Sequence, residues 1–117
     1  MKASRYAVAL GIIGAALVAQ QHGAGGPAMS LELENESVRA FRIRIAPHEH
    51  IPMHDVTPRV VVWLTNAHLR DSLATGKIRL EDHKAGEVNW VPAQHHSGVN
   101  LSAAPIEFIA IEPKPTR

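Results

Sequence analysis

The 117-residue sequence contains no cysteine, which excludes a disulfide framework, a thiolate metal site and a cysteine nucleophile. Aromatic residues make up only 4%, too few for the stacking platforms that hold single-stranded nucleic acid. Neither sign of charge prevails: 12 Lys and Arg face 11 Asp and Glu, a formal net charge of +1. No field therefore steers the chain toward nucleic acid or an anionic membrane. Long apolar runs are missing too. The most extended, Ala7–Ala19 (AVALGIIGAALVA), would rise about 20 Å as a helix, against a bilayer core of roughly 30 Å. What remains is one small domain with a hydrophobic fraction of 45%, normal for a packed chain and incompatible with long-range disorder.

Lys2 and Arg5 precede the apolar run, and Gln20, Gln21 and several glycines follow it. A basic start, a short apolar stretch and a small, polar exit form the layout of a secretory signal peptide. Residues 1–29 are read as signal peptide and short linker, cleaved between Ala19 and Ala28, and residues 30–117 as one domain. The expected location is periplasmic or secreted, with no stable membrane insertion after processing. Loss of Lys2 and Arg5 leaves 10 basic against 11 acidic residues, so bulk charge does not choose a partner. A core built from roughly 88 residues is thin. A homodimer is expected, with Val38–Ile45 and Ile106–Ile111 as the edge strands that pair.

The rest of the chain reads as short strands. Val38–Ile45 (VRAFRIRI) alternates, with Arg39, Phe41, Ile43 and Ile45 on the more apolar face. Val60–Leu64 (VVVWL) is a continuous β-branched and aromatic run, the mark of a strand covered on both sides. Lys77–Leu80 follows a turn-like Ala74-Thr75-Gly76, and Val88–Val91 follows Gly86 and stops at Pro92. Ile106–Ile111 closes the domain. No window after Gly25 keeps a helical period. The pattern predicts an all-β sandwich or barrel.

Histidine is the residue in excess, with 8 copies. His48, His50 and His54 lie within PHEHIPMHD, at even spacings that put them on one face of an extended segment. His95 and His96 form a second cluster. Two such clusters on neighbouring strands can converge in a barrel lumen, and imidazole is the commonest side-chain ligand of first-row transition metals. Taken singly, His68 and His83 read as surface or hydrogen-bonded residues. Trp63 and Trp90 read as core or lumen packing, and Asn100 as a turn-fixing side chain. Arg42, Arg44 and Arg59 are candidates for an anion or simply occupants of exposed strand faces.

At these residues the chain resembles the cupin superfamily, in its small single-domain form. The second cupin motif, G-x5-P-x-G-x2-H-x3-N, is matched by Gly86, the five-residue spacer, Pro92, and His96 with Asn100. Gln94 replaces the usual glycine, and one residue is missing before the histidine. The first motif is degenerate: Pro52-Met53-His54 leads into the next strand, but the second histidine would fall at Val56 and the glutamate near Arg59 or Val60. The resemblance spans about residues 38–112. It implies an antiparallel β-barrel or jelly roll with metal and ligand inside. It carries over His54 and His96 as metal ligands, with His50 and His95 as substitutes for the missing ones. Fe, Mn, Ni, Cu or Zn in divalent form would suit such a set. The expected function is an exported cupin-like barrel that holds a divalent metal and acts on or binds a small organic molecule. The alternative is a metal-free barrel that binds a small molecule without turning it over. Whether the chain is an enzyme stays open.

Overall fold

The computed structural model describes residues 27–116. The expected signal peptide falls outside the described residues except for positions 27–29. Nine strands run in order: β1 (Ala28–Glu34), β2 (Val38–Ile45), β3 (His50–Val56), β4 (Arg59–Trp63), β5 (Ala67–Leu73), β6 (Ile78–His83), β7 (Val88–Val91), β8 (Gln94–Asn100) and β9 (Ile106–Pro113). They form two antiparallel sheets, β1-β2-β9-β4-β7 and β3-β8-β5-β6. The sheets face one another as a flattened barrel, as the strand pattern predicts and in the jelly-roll form that the cupin resemblance implies. β1 begins at Ala28, so the boundary expected at residue 30 falls inside a strand.

β2 and β9 pair over their full lengths, from Val38↔Pro113 to Ile45↔Ile106. That register places both in the interior of the five-stranded sheet. The expectation that they are edge strands is therefore corrected: the edges are β1 and β7 in one sheet, β3 and β6 in the other. Alternation along β2 and β9 had no way to signal this, because an interior and an edge strand share the same period.

The core lies on the five-stranded sheet's inner face. Ile43, Ile45, Val61, Trp63, Ile106 and Ala110 pack there with Ala67 and Leu69 of the opposite sheet. Burial of β-branched and aromatic side chains, at roughly 25 cal/mol per Å², holds the two layers together in place of a disulfide. Asn100 closes one end. Wholly buried, its amide donates to the carbonyls of Ala46 at 3.1 Å and Ala104 at 2.9 Å, and its Oδ1 accepts from Ser102 N at 2.9 Å. The turn-fixing role expected of Asn100 is what the structure shows. Gly86 ends the β6–β7 connection with φ +92°, a left-handed backbone that favours glycine. Its N–H donates to Trp63 O at 2.7 Å, which ties that loop to β4.

Candidate functional site

Between the sheets lies a cavity of about 760 Å³, within the range of roughly 300–1,000 Å³ usual for small-molecule sites. Its two walls differ in chemistry. The five-stranded sheet contributes mainly Phe41, Ile43, Val61, Trp63 and Phe108, together with Asn89 and the Arg59–Glu112 pair. Trp63 and Phe108 meet at 5.0 Å between ring centroids. The four-stranded sheet contributes His54, Asp71, Arg79, Glu81, His83 and His96.

Sheet register explains this polar wall. Asp71 on β5 lies opposite Arg79 on β6 and Gly98 on β8. A Cβ built on Gly98 would stand 3.2 Å from Asp71 Oδ1 and 3.4 Å from the Arg70 carbonyl. The absence of a side chain at position 98 is therefore what makes room for the carboxylate. Asp71 is buried, at 7% exposure, and a buried charge needs a partner. Arg79 supplies it, donating to Asp71 Oδ2 at 3.0 Å and to Gln94 Oε1 at 3.2 Å. Burial pushes the Asp71 carboxyl up, but the neighbouring His96 imidazole together with Glu81 and Arg79 outweighs it and holds the pKa at about 2. Burial raises the pKa of Glu81, and the Asp71 carboxylate beside it adds to the rise.

His83 stacks flat on Trp63, with centroids 4.1 Å apart and planes 10° from parallel. Its Nε2 lies 2.9 Å from Glu81 Oε1 and its Nδ1 2.8 Å from Glu87 Oε2. Burial lowers its pKa, but the two carboxylates, Glu87 foremost, prevail and raise it. Both nitrogens can donate only when the ring is charged.

The four candidate ligands divide in two. His54 and His96 sit opposite one another in the β3–β8 ladder. Their rings meet edge to face in the cavity, 5.0 Å apart and 61° inclined. His50 and His95 do not join them. The β3–β8 register shifts by one residue between Ile51 and His54, so His50 and His54 lie on opposite faces despite their even spacing. His50 faces Val99 and is exposed. His95, next to His96, points outward and bonds Asp55 Oδ1 at 2.6 Å. His48 stands on the preceding turn with φ +59°. His68 pairs with Asp82 on the outer surface at 2.6 Å.

The donor set does not match a resident metal of the expected kind. Such a site takes three or four protein ligands. His54 and His96 supply two nitrogens, and the carboxylate beside His96 is bound to Arg79. Among the described residues no three His, Asp or Glu side chains are grouped to hold a metal ion.

Asp71, Arg79 and Glu81 carry no expectation from the sequence, and His83, expected as a surface or hydrogen-bonded residue, is hydrogen-bonded but faces the lumen. One signal was present all the same. Arg79, Glu81 and His83 recur at every second position of β6, and they face inward while Ile78 and Leu80 stand 61% and 67% exposed. The usual polarity of a half-buried strand is inverted. Trp63 fills the core as expected, whereas Trp90 is 57% exposed at the cavity rim.

No protein-family model matches this chain, and no curated protein sequence matches it. Solved structures do. A cupin domain from Bordetella pertussis Tohama I superposes with a TM-score of 0.72 at 23% identity, covering 80% of this chain and 98% of that one. The chain has the cupin fold. An RmlC-like cupin family protein from Methanocaldococcus jannaschii, described as a double-stranded β-helix, matches with a TM-score of 0.58 at 16% identity, over 79% and 84% of the two chains. A polyketide cyclase from Streptomyces resistomycificus matches with a TM-score of 0.62 at 16% identity, over 78% and 67%. The cupin fold thus accounts for the position of His54 and His96, on adjacent strands facing the lumen, where the two motifs placed them.

Proposed function

We propose that this cupin-fold chain binds a small organic molecule in its lumen and does so without a resident metal. The observation that carries the reading is the two-walled cavity: an apolar, aromatic surface on one sheet faces a fixed polar surface on the other. Such a site buries the apolar body of a ligand and orients its polar end. The β3 register shift, which turns His50 away, and the Asp71–Arg79 pair remove the ligands a third and fourth metal bond would require. Export belongs to the same proposal and rests on the pattern of residues 1–29. Mass spectrometry of the exported protein should give a mature N-terminus between about residues 20 and 29.

Protein purified without an affinity tag should contain well under one equivalent of transition metal by elemental analysis. A chelator should leave its melting temperature unchanged, whereas a lumen ligand at a hundredfold excess over its Kd should stabilise the fold by about 2.7 kcal/mol. One tightly held equivalent of metal, lost on substitution of His54 and His96 together, would overturn the metal-free reading.

A further inference from the structure

The charged groups around the cavity are already matched. Asp71 pairs with Arg79 at 3.0 Å, and Glu81 with His83 at 2.9 Å and Arg79 at 3.5 Å. Arg59 and Glu112, both largely buried, meet at 2.7 Å. At the rim Arg39 reaches Glu34 at 3.3 Å, and Asp55 accepts from His95 at 2.6 Å. A charged ligand would have to break one of these pairs or lie uncompensated in the lumen, and both are costly.

The polar groups with capacity to spare belong to His54, His96 and Gln94. His54 Nδ1 lies 2.8 Å from the Pro52 carbonyl, an acceptor that fixes the proton on Nδ1 and leaves Nε2 with a lone pair. His96 Nδ1 is shut off from solvent without a hydrogen-bond partner, 3.7 Å from Asp71 Oδ2. The carboxylate favours the proton on that side, so Nε2 is again the acceptor. Beside them, the Gln94 and Asn89 side-chain oxygens are engaged by Arg79 at 3.2 Å and by Trp63 Nε1 at 2.8 Å. The Gln94 amide N–H, two positions from His96 on β8, remains to donate, whereas the Asn89 amide is turned to Glu87.

Resting on the lumen reading, we infer that the ligand is an uncharged molecule with an aromatic or alicyclic body and one or two hydroxyl groups, the hydroxyls donating to Nε2 of His54 and His96. A hydroxyl both donates and accepts, so it satisfies the imidazole lone pairs and the neighbouring Gln94 amide together. A carbonyl or ether oxygen only accepts and leaves the imidazoles unmet. The ring lies against Trp63 and Phe108, whose faces favour stacked or edge contacts with another ring.

The experiment is a titration, by ligand-detected NMR at neutral pH, of the mature protein with five probes of similar shape: phenol, catechol, toluene, benzoate and benzylammonium. Phenol and catechol should bind roughly five- to tenfold more tightly than toluene, the effect of one or two hydrogen bonds. Benzoate and benzylammonium should bind roughly a hundredfold more weakly than phenol. His54→Ala, at the exposed mouth of the cavity, should reduce phenol to the affinity of toluene and leave toluene unchanged, and His96→Gln is the second variant should His54 prove dispensable. Benzoate or benzylammonium matching phenol overturns the inference, as does phenol no tighter than toluene, and in either case the lumen remains a binding site. If none of the five binds to a folded protein, the lumen reading falls and this inference falls with it.

Discussion

The two sheets of this small domain do different work with similar backbones. The five-stranded sheet turns Ile43, Ile45, Val61, Trp63, Ile106 and Ala110 inward and holds the fold by volume and apolar burial. The four-stranded sheet turns Asp71, Arg79, Glu81, His83 and His96 toward the same space and holds them by mutual charge. A loss on the first wall leaves a cavity, and its cost scales with the atoms removed. A loss on the second strands a charge whose partner stays buried, and its cost is set by desolvation. Both walls hold the fold, one by packing and the other by charge pairing.

The sharpest way to break this contrast is to truncate one residue on each wall. Asp71→Ala leaves Arg79 only its longer contacts to Glu81 and Gln94 and should lower the unfolding free energy by about 3 kcal/mol. Val61→Ala, at 4% exposure, removes two methyl groups and should cost about 2 kcal/mol. Replacing the whole pair, Asp71→Leu with Arg79→Met, should recover most of the first loss, because neither half of the pair is then left without the other while Glu81 keeps His83. Urea unfolding of the four proteins measures all of this. If Asp71→Ala proves no worse than Val61→Ala, or the double variant no better than the single, the polar wall is not held by charge pairing.

Gly98→Ala probes the same wall by sterics. The added methyl would stand 3.2 Å from Asp71 Oδ1 with the Arg70 backbone carbonyl at 3.4 Å, so the carboxylate must give way. A loss of about 1–3 kcal/mol is expected, accompanied by weaker ligand binding. Unchanged stability and affinity would show that Asp71 does not depend on this gap.

Acidity probes the polar wall without mutation. The Asp71 carboxyl is held at about 2, below its ordinary 3.8. Its contribution, about 2 kcal/mol, is complete above pH 4 and is lost as pH falls toward 2. His83 acts in the opposite sense. Its pKa is raised by Glu87 and Glu81 against burial, so its contribution is complete below the ordinary imidazole value of about 6.5 and fades as pH rises through the raised one. His83→Gln should therefore flatten the alkaline limb of a stability-against-pH curve and leave the acid limb in place. A variant whose alkaline limb matches the unaltered protein would remove His83 from the clamp between Trp63 and the two glutamates.

How much of this was legible from the residues follows the same division. β2 and β7 have the limits read from the sequence, and β4, β6 and β9 lie within a few residues of theirs. These strands carry β-branched runs or clean alternation. β1, β5 and β8 were not recognised as strands. β5 and β8 (AHLRDSL and QHHSGVN) alternate weakly, because part of their inward face is polar by design of the site. In β3 the even spacing of His48, His50 and His54 was read as a shared face, but one extra residue in the ladder reverses the pleat between His50 and His54. A bulge is a property of two strands together, so neither sequence alone contains it. The motif spacing fared better. Gly86, Pro92 and Asn100 single out His96, Pro52-Met53 and the strand that follows single out His54, and the ladder pairs the two on the neighbouring strands expected of their clusters.

The smallest expected effect is the most specific test of the polar wall, because it concerns residues that composition alone would assign to the core. Ile78 and Leu80 of β6 are 61% and 67% exposed, while Arg79, Glu81 and His83 between and beyond them face the lumen. If the strand had the ordinary polarity, Leu80→Ser would remove a core side chain and cost about 2–5 kcal/mol. With the inverted pleat, the change acts on solvent-exposed surface and should stay within about 0.5 kcal/mol. The register fixes this outcome: Leu80 lies opposite exposed Arg70, whereas Arg79 lies opposite buried Asp71. A one-residue slip would exchange the two faces entirely. Denaturation midpoints of Leu80→Ser and Ile78→Thr, measured beside Arg79→Met, decide between the registers. A large loss in the first two with none in the third would place leucine and isoleucine inside, and the lumen would then have two apolar walls and no selective one.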